Sequence, residues 1–161
     1  MNDDRAGPSP IDVLEAAGIP FVVEQHPSAH TAADVQRLLG LSMEHSVKAL
    51  VFEVPRRGLC IAAFPGNRRL NYGLLARALD VARSQLRPAP PEALHRLGME
   101  PGGVCPVCSD AETTIVFDAA VPGMGPVYCG SGQAARTLQV DADDLVRFAG
   151  RSIVAPIVSD E

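Results

Sequence analysis

The chain has 161 residues, 47% of them hydrophobic, with 14 basic against 19 acidic side chains and a net charge of −5. This length and apolar content suit one domain with a core of its own, and the negative balance argues against a general nucleic-acid binder and against DNA as a partner. No run approaches the roughly 18 apolar residues of a membrane span. The start Met1-Asn2-Asp3-Asp4-Arg5 is acidic where a signal peptide is basic, so we expect a cytoplasmic protein whose Cys60, Cys105, Cys108 and Cys129 are thiols.

In chain order, residues 1–8 are expected to form a flexible N-terminus and residues 9–158 the domain, with the last few residues loose. Ser9-Pro10-Ile11-Asp12 combines a capping residue, a proline at the first helical position and an early carboxylate, which predicts a short helix stopped by Gly18. Ile19 to Glu24 reads as a strand, its β-branched and aromatic residues following a proline placed at the start. A second helix begins at Thr31, with Asp34 bonding back to the cap and Val35, Leu38 and Leu39 forming an apolar stripe before Gly40. The apolar runs Val47 to Val54 and Leu59 to Phe64 flank Pro55-Arg56-Arg57-Gly58, a turn composition, and should pair as an antiparallel hairpin.

Asn71 then caps a helix bearing Leu74, Leu75, Ala78 and Leu79, and Pro90-Pro91-Glu92 opens another that ends at Gly98. After a loop over 98–112, Thr113 to Asp118, Pro126 to Cys129 and Thr137 to Val140 read as strands, and Asp141 caps a last helix with Leu145 and Phe148. Strands and helices mix without regular alternation. That order favours an α/β fold of the mixed, α+β kind, with a partly antiparallel sheet flanked by helices.

Residues 56–96 carry 8 basic and 2 acidic side chains, a reversal of the charge on either side. Arg56, Arg57, Arg68, Arg69, Arg77, Arg83, Arg87 and Arg96 could form a patch for phosphates or an ordinary solvated face. Lys48 is the only lysine in the chain. On a strand it shares a face with Leu50, Phe52 and Val54, so its ammonium either reaches water at the rim or enters a pocket. A compact ammonium there can hydrogen-bond a carbonyl or phosphate.

Two glycine-rich loops are the other candidates. In Pro101-Gly102-Gly103-Val104-Cys105-Pro106 the glycines allow close backbone approach, either to bind a developing oxyanion or to make a tight turn. Tyr128-Cys129-Gly130-Ser131-Gly132 follows a strand and reads as the opposite wall of a pocket or as a turn. It lacks the Gly-Lys-Ser/Thr ending of a phosphate loop. Cys105-Pro106-Val107-Cys108 has no second Cys-x-x-Cys to complete a zinc site and no helix start after a βαβ strand for dithiol chemistry, so we expect no metal and no cofactor. His26, His30, His45 and His95 show no triad pattern.

Together, His26-Pro27-(x)3-Thr31, Leu38-Leu39-Gly40-Leu41, Val47-Lys48-Ala49-Leu50-Val51, Gly102-Gly103-Val104-Cys105-Pro106 and Tyr128-Cys129-Gly130-Ser131-Gly132 resemble, in order and spacing, the YbaK/prolyl-tRNA-synthetase-associated editing domain family. The resemblance covers residues 10 to 150. It implies a curved, barrel-like mixed sheet and a trans-acting aminoacyl-tRNA deacylase that removes a small amino acid from mischarged transfer RNA, above all that for proline. By the same resemblance Lys48, Gly102 and Gly103 are the catalytic residues, Lys48 positioning the substrate and the loop contacting the scissile carbonyl. Thr31, Cys105, Pro106, Cys129, Gly130, Ser131, Gly132 and Thr137 are implied as substrate-binding. A hydroxyl of the terminal ribose would help to orient water, which fits the absence of a triad. The implied partners are the acceptor end of a transfer RNA and an aminoacyl-tRNA synthetase.

Relatives of the cysteine-editing type carry serine at the position of Cys105 and an acid near Thr137, whereas Leu97-Gly98-Met99-Glu100-Pro101-Gly102 is closer to the alanine-editing branch. The alternative is a non-catalytic module of the same fold that binds transfer RNA or a synthetase.

Overall fold

The computed structural model describes residues 7–27, 37, 40, 42–148 and 152–159. Its first helix, α1 (Pro10–Ala17), is built as the capping pattern requires. Ser9 Oγ accepts from the Asp12 N–H at 3.2 Å, and Gly18 stops the helix in the left-handed region at φ 72°. The strand expected from Ile19 starts later, as β1 (Val22–Gln25). Ile19 is still part of the helix end, its N–H donating to the Leu14 carbonyl at 3.1 Å, and Pro20 has no N–H for a ladder. The helix expected from Thr31, with Asp34, Val35, Leu38 and Leu39, lies outside the described residues.

Eight strands among the described residues divide into two sheets. The expected hairpin is β2 (Val47–Val54) and β3 (Gly58–Pro65), antiparallel with Lys48 opposite Phe64. β4 (Arg87–Pro88) adds to the outer edge of β2, while β5 (Thr114–Asp118) and β8 (Ser152–Ala155) extend the other side in parallel, giving the order β4-β2-β3-β5-β8. The smaller sheet is antiparallel, in the order β1-β7-β6, with β6 (Pro126–Gly130) and β7 (Arg136–Asp141). The fold is therefore mixed α/β, as expected. In place of one continuous barrel-like sheet, the hydrogen bonding makes two sheets that meet at an isolated parallel bridge between Ser46 and Tyr128.

The helices α2 (Tyr72–Leu79), α3 (Pro91–Arg96) and α4 (Ala142–Phe148) complete the described elements. Asn71 Oδ1 caps α2 by accepting from the Leu74 N–H at 3.0 Å, and Asp141 Oδ1 accepts from the Asp143 N–H at 2.9 Å. β3 is buried on both faces and so separates two cores. Ile61 and Ala63 join Leu14, Phe117, Leu138 and Leu145 between the sheets. Cys60, Ala62 and Phe64 join Phe52, Leu75, Val116 and Ile157 under α2. Each fully buried Leu, Ile or Phe contributes roughly 1.5–3 kcal/mol, so this central hairpin anchors the strand that carries Lys48.

The C-terminal part of the expected domain adds an edge strand and a buried residue. Ser152–Ala155 forms the edge strand β8, and Ile157 is fully buried, its N–H donating to Asp118 Oδ1 at 2.9 Å. β4 and β8 escaped the sequence reading because a two-residue Arg-Pro strand and a four-residue edge lack a periodic pattern. At the other end, the Gly7 N–H donates to the Arg96 carbonyl at 3.1 Å, which lays residue 7 against the end of α3.

Candidate functional site

The smaller sheet buries Val127, Cys129, Leu138 and Val140 in the core, so its opposite face carries the alternate residues. On that face Gly130 pairs with Thr137, and Thr137 with Glu24. The parallel bridge from Ser46 to Tyr128 brings the start of β2 to the free edge of β6. Lys48 follows two residues after this bridge, on the same face of the strand as Ser46. The register sets Gly130, Thr137 and Glu24 in one row across β6, β7 and β1.

Lys48 is exposed, and among the described residues its ammonium has no ion pair or hydrogen bond. It stands beside exposed Leu50, while Phe52 and Val54, further along the same face, are sealed beneath α2. The strand thus changes character midway: its first half is open to a ligand and its second half is core.

Gly130 is where the two glycine loops meet. A Cβ there would lie 2.2 Å from the Val104 carbonyl oxygen and 2.9 Å from the Gly103 carbonyl carbon, so loop backbone occupies the space of the missing side chain. Gly103 is equally constrained, since its Cβ would lie 2.6 Å from the Gln133 carbonyl carbon. The loops are stitched together by the Gly132 N–H donating to the Gly103 carbonyl at 2.6 Å and the Glu100 N–H donating to the Gly132 carbonyl at 2.7 Å. Gly103 donates its own N–H to the Glu100 carbonyl at 3.0 Å. That N–H is therefore committed to a turn, and the open donors of this loop among the described residues are the N–H groups of Gly102 and Val104. Gly102 adopts φ 85°, which favours glycine.

The other sequence-predicted residues separate into two groups. Thr137, only 4% exposed, is on the row, and its Oγ1 lies 2.8 Å from His26 Nε2. His26 Nδ1 lies 2.8 Å from the Pro27 carbonyl oxygen. A carbonyl can only accept, so Nδ1 carries the proton and in the neutral ring Nε2 accepts from the Thr137 hydroxyl. This His26–Thr137 pair was not visible in the sequence, where the two residues are 111 positions apart and only their separate appearance in motifs marked them.

Ser131, Cys105, Pro106 and Cys129 instead turn inward. Ser131 is fully buried and its hydroxyl is used within the loop, donating to the Arg136 carbonyl at 2.7 Å and accepting from the Gln133 N–H at 3.2 Å. Cys105 is fully buried and Cys129 is 4% exposed. Burial pushes the Cys105 thiol well above its ordinary value, and the adjacent Cys129 thiol adds to the push. Cys105 is therefore a protonated core thiol at neutral pH. Gly132 packs against Pro10 at the start of α1. Thr31 lies outside the described residues. Among the described residues no three His, Cys, Asp or Glu side chains converge as a metal site.

A cavity of about 1180 Å³ lies away from this row. It opens at the far end of β2, around the turn of the β2–β3 hairpin; none of the residues implied as catalytic or substrate-binding lines it, whereas Arg56, Arg57, Arg87 and Arg96 of the basic segment do.

Comparison with known proteins agrees with the geometry in the segments it selects. A family model described as the aminoacyl-tRNA editing domain matches residues 26–148, from His26 to the end of α4. A proline–tRNA ligase of Desulfitobacterium hafniense (strain DSM 10664 / DCB-2) is 30% identical over 105 residues, 65% of this chain but only 18% of the ligase. The chain thus corresponds to a small part of that larger protein. A crystal structure of a proposed trans-editing enzyme for prolyl tRNA synthetase superposes with a TM-score of 0.77 at 27% identity, covering 91% of this chain and 92% of the other. The hypothetical protein APE2540 superposes with a TM-score of 0.77 at 26% identity, covering 91% and 96%. No helix among the described residues is long and apolar enough to cross a membrane.

Proposed function

Since the chain belongs to the aminoacyl-tRNA editing domain family, we propose that it is a trans-acting deacylase that hydrolyses a small amino acid from mischarged transfer RNA, that for proline first among candidates. The observation that supports this reading is that Gly130 and Thr137 share one sheet face under the Gly103–Val104 backbone, beside the bridge that brings the start of the Lys48 strand to the edge of β6. The setting would be the cytoplasm, and the synthetase for proline the functional partner.

The reaction adds water to the ester carbonyl, breaks the bond to the ribose oxygen and returns that oxygen to a hydroxyl. Among the described residues no activated nucleophile faces the row, because the thiols of Cys105 and Cys129 are buried and Cys105 is held protonated. Catalysis on this surface would therefore come from position and electrostatics. Lys48 supplies a cation for the carbonyl or a terminal phosphate. The N–H groups of Gly102 and Val104 supply donors for the oxyanion. The Thr137 hydroxyl, with its proton directed to His26, presents oxygen lone pairs to the substrate's amino group. A ribose hydroxyl of the substrate would orient the attacking water.

The test is a panel of mischarged transfer RNAs with the wild-type protein and Lys48→Ala. We expect accelerated loss of one small amino acid, and a fall in kcat/KM of about 100-fold or more on removing Lys48, the size of effect typical for one transition-state donor. Stability should change by no more than about 0.5 kcal/mol, because Lys48 is exposed. No deacylation above the buffer rate for any pair would refute the assignment. Salt-sensitive transfer-RNA binding without turnover would point to the second reading, a binding module, which Thr137 favours by standing where cysteine-editing relatives carry an acid.

A further inference from the structure

The charge reversal over residues 56–96 acquires a location in the fold. Of its eight arginines, Arg56 and Arg57 in the β2–β3 turn, Arg87 on β4 and Arg96 at the end of α3 all line the cavity of about 1180 Å³. Three separate segments thus deliver four guanidiniums to one concavity. All four are exposed, and among the described residues none has an ion pair. Three carboxylates, Glu53, Asp110 and Glu112, share the wall, which leaves it one net positive charge, and among the described residues none of them forms an ion pair with the arginines. Glu53 is opposite Arg87 in the strand register yet forms no ion pair with it, and Asp110 is turned to its own loop, accepting from the Thr113 hydroxyl at 2.6 Å and the Glu112 N–H at 3.3 Å. Arg56 also holds φ at 67°, a left-handed conformation that is costly for an L-residue and that glycine would adopt freely. A costly arginine at the tip, among three others that repel it, is a surface arranged for an anion.

We propose that this cavity is a docking site for the phosphodiester backbone of transfer RNA, separate from the row that holds the aminoacyl end. Its volume exceeds the roughly 300–1,000 Å³ of a small-ligand pocket, and its arginines are spread from hairpin tip to helix end, which suits successive phosphates better than one ion. Lys48 and the cavity wall at Val54 are six residues apart on a single strand, about 20 Å at 3.3 Å per residue. The strand fixes that spacing, so a transfer RNA with its end at Lys48 would lay its stem toward the arginines. Guanidiniums can grip phosphate oxygens bidentately and need no base identity.

The choice of transfer RNA rests on the proposed deacylase reading, and the experiment separates the two. Binding of uncharged transfer RNA is measured against salt for the wild type, for the quadruple variant Arg56→Gln, Arg57→Gln, Arg87→Gln, Arg96→Gln, and for the matching quadruple lysine variant. We expect the glutamine variant to bind at least tenfold more weakly at about 0.1 M salt, with a log–log slope shallower by close to one per lost phosphate contact, and the lysine variant to recover the slope. Hydrolysis of a short aminoacyl-adenosine ester, too small to reach the cavity, should be unchanged in the glutamine variant. An unaltered salt slope, or displacement of transfer RNA by millimolar inorganic phosphate as effectively as by competing RNA, would overturn the proposal. If the wild type hydrolyses nothing yet the slope depends on the arginines, the deacylase reading fails and the docking site stands.

Discussion

His26 Nε2 and the Thr137 hydroxyl oxygen lie 2.8 Å apart, joining the residue that follows β1 to the start of the neighbouring strand β7. The Pro27 carbonyl fixes the tautomer from the other side of the ring. Thr137 is thereby held in a single orientation on the row it shares with Gly130 and Glu24.

A double-mutant cycle measures this tie. His26→Ala and Thr137→Val should each lower stability by about 1 kcal/mol in chemical denaturation, as for an ordinary buried hydrogen bond. The double variant should lose little more than the worse single one. Strictly additive losses would show that the two side chains do not act together.

The glycine loops make a sharper prediction. Gly130→Ala and Gly103→Ala would press a methyl group into backbone at 2.2 Å and 2.6 Å, contacts that no side-chain rotation relieves. Each should cost more than about 3 kcal/mol or displace the loop, the scale of overpacking a filled site. Gly102→Ala puts a side chain at φ 85°, a conformation that should cost at least about 1–2 kcal/mol. Thermal melts of the three variants would check the order, and a mild effect at Gly130 would mean that the loops do not pack as described.

The thiols predict a pH dependence with a definite sign. Burial raises Cys60 from 9.0 to about 12 and also raises Cys105 and Cys108. Below about pH 9 both folded and unfolded chains keep these protons, so the thiols add no pH dependence. Above it the unfolded chain loses protons that the folded chain retains, and stability should fall steadily toward pH 12. Unfolding midpoints measured from pH 8 to pH 11 would show the decline, and substituting Ala for Cys60 should flatten it. In the native protein at pH 8, alkylation should reach half-buried Cys108 before buried Cys60 or Cys105. Prompt labelling of Cys105 would contradict its place in the core.

The sequence by itself determined the elements whose signals are local. Ser9 with Pro10, Asn71 and Asp141 announced three helix starts, and Pro55-Arg56-Arg57-Gly58 between apolar runs announced the central hairpin, because caps and turns are made by side chains within a few residues of the backbone groups they satisfy. It also singled out Lys48 and both glycine loops, since residue type is informative where a neighbour must come unusually close. It could not say which atoms those residues face. Only tertiary pairing set Gly130 against Val104, turned Ser131 and Cys105 inward, committed the Gly103 N–H to a turn and joined His26 to Thr137. The same holds for β8 and Ile157, which are ordered by Asp118 from 39 residues away, and for the four arginines that share one cavity. Each of these relationships depends on strand register across long sequence separations, and register is a property of the assembled sheets.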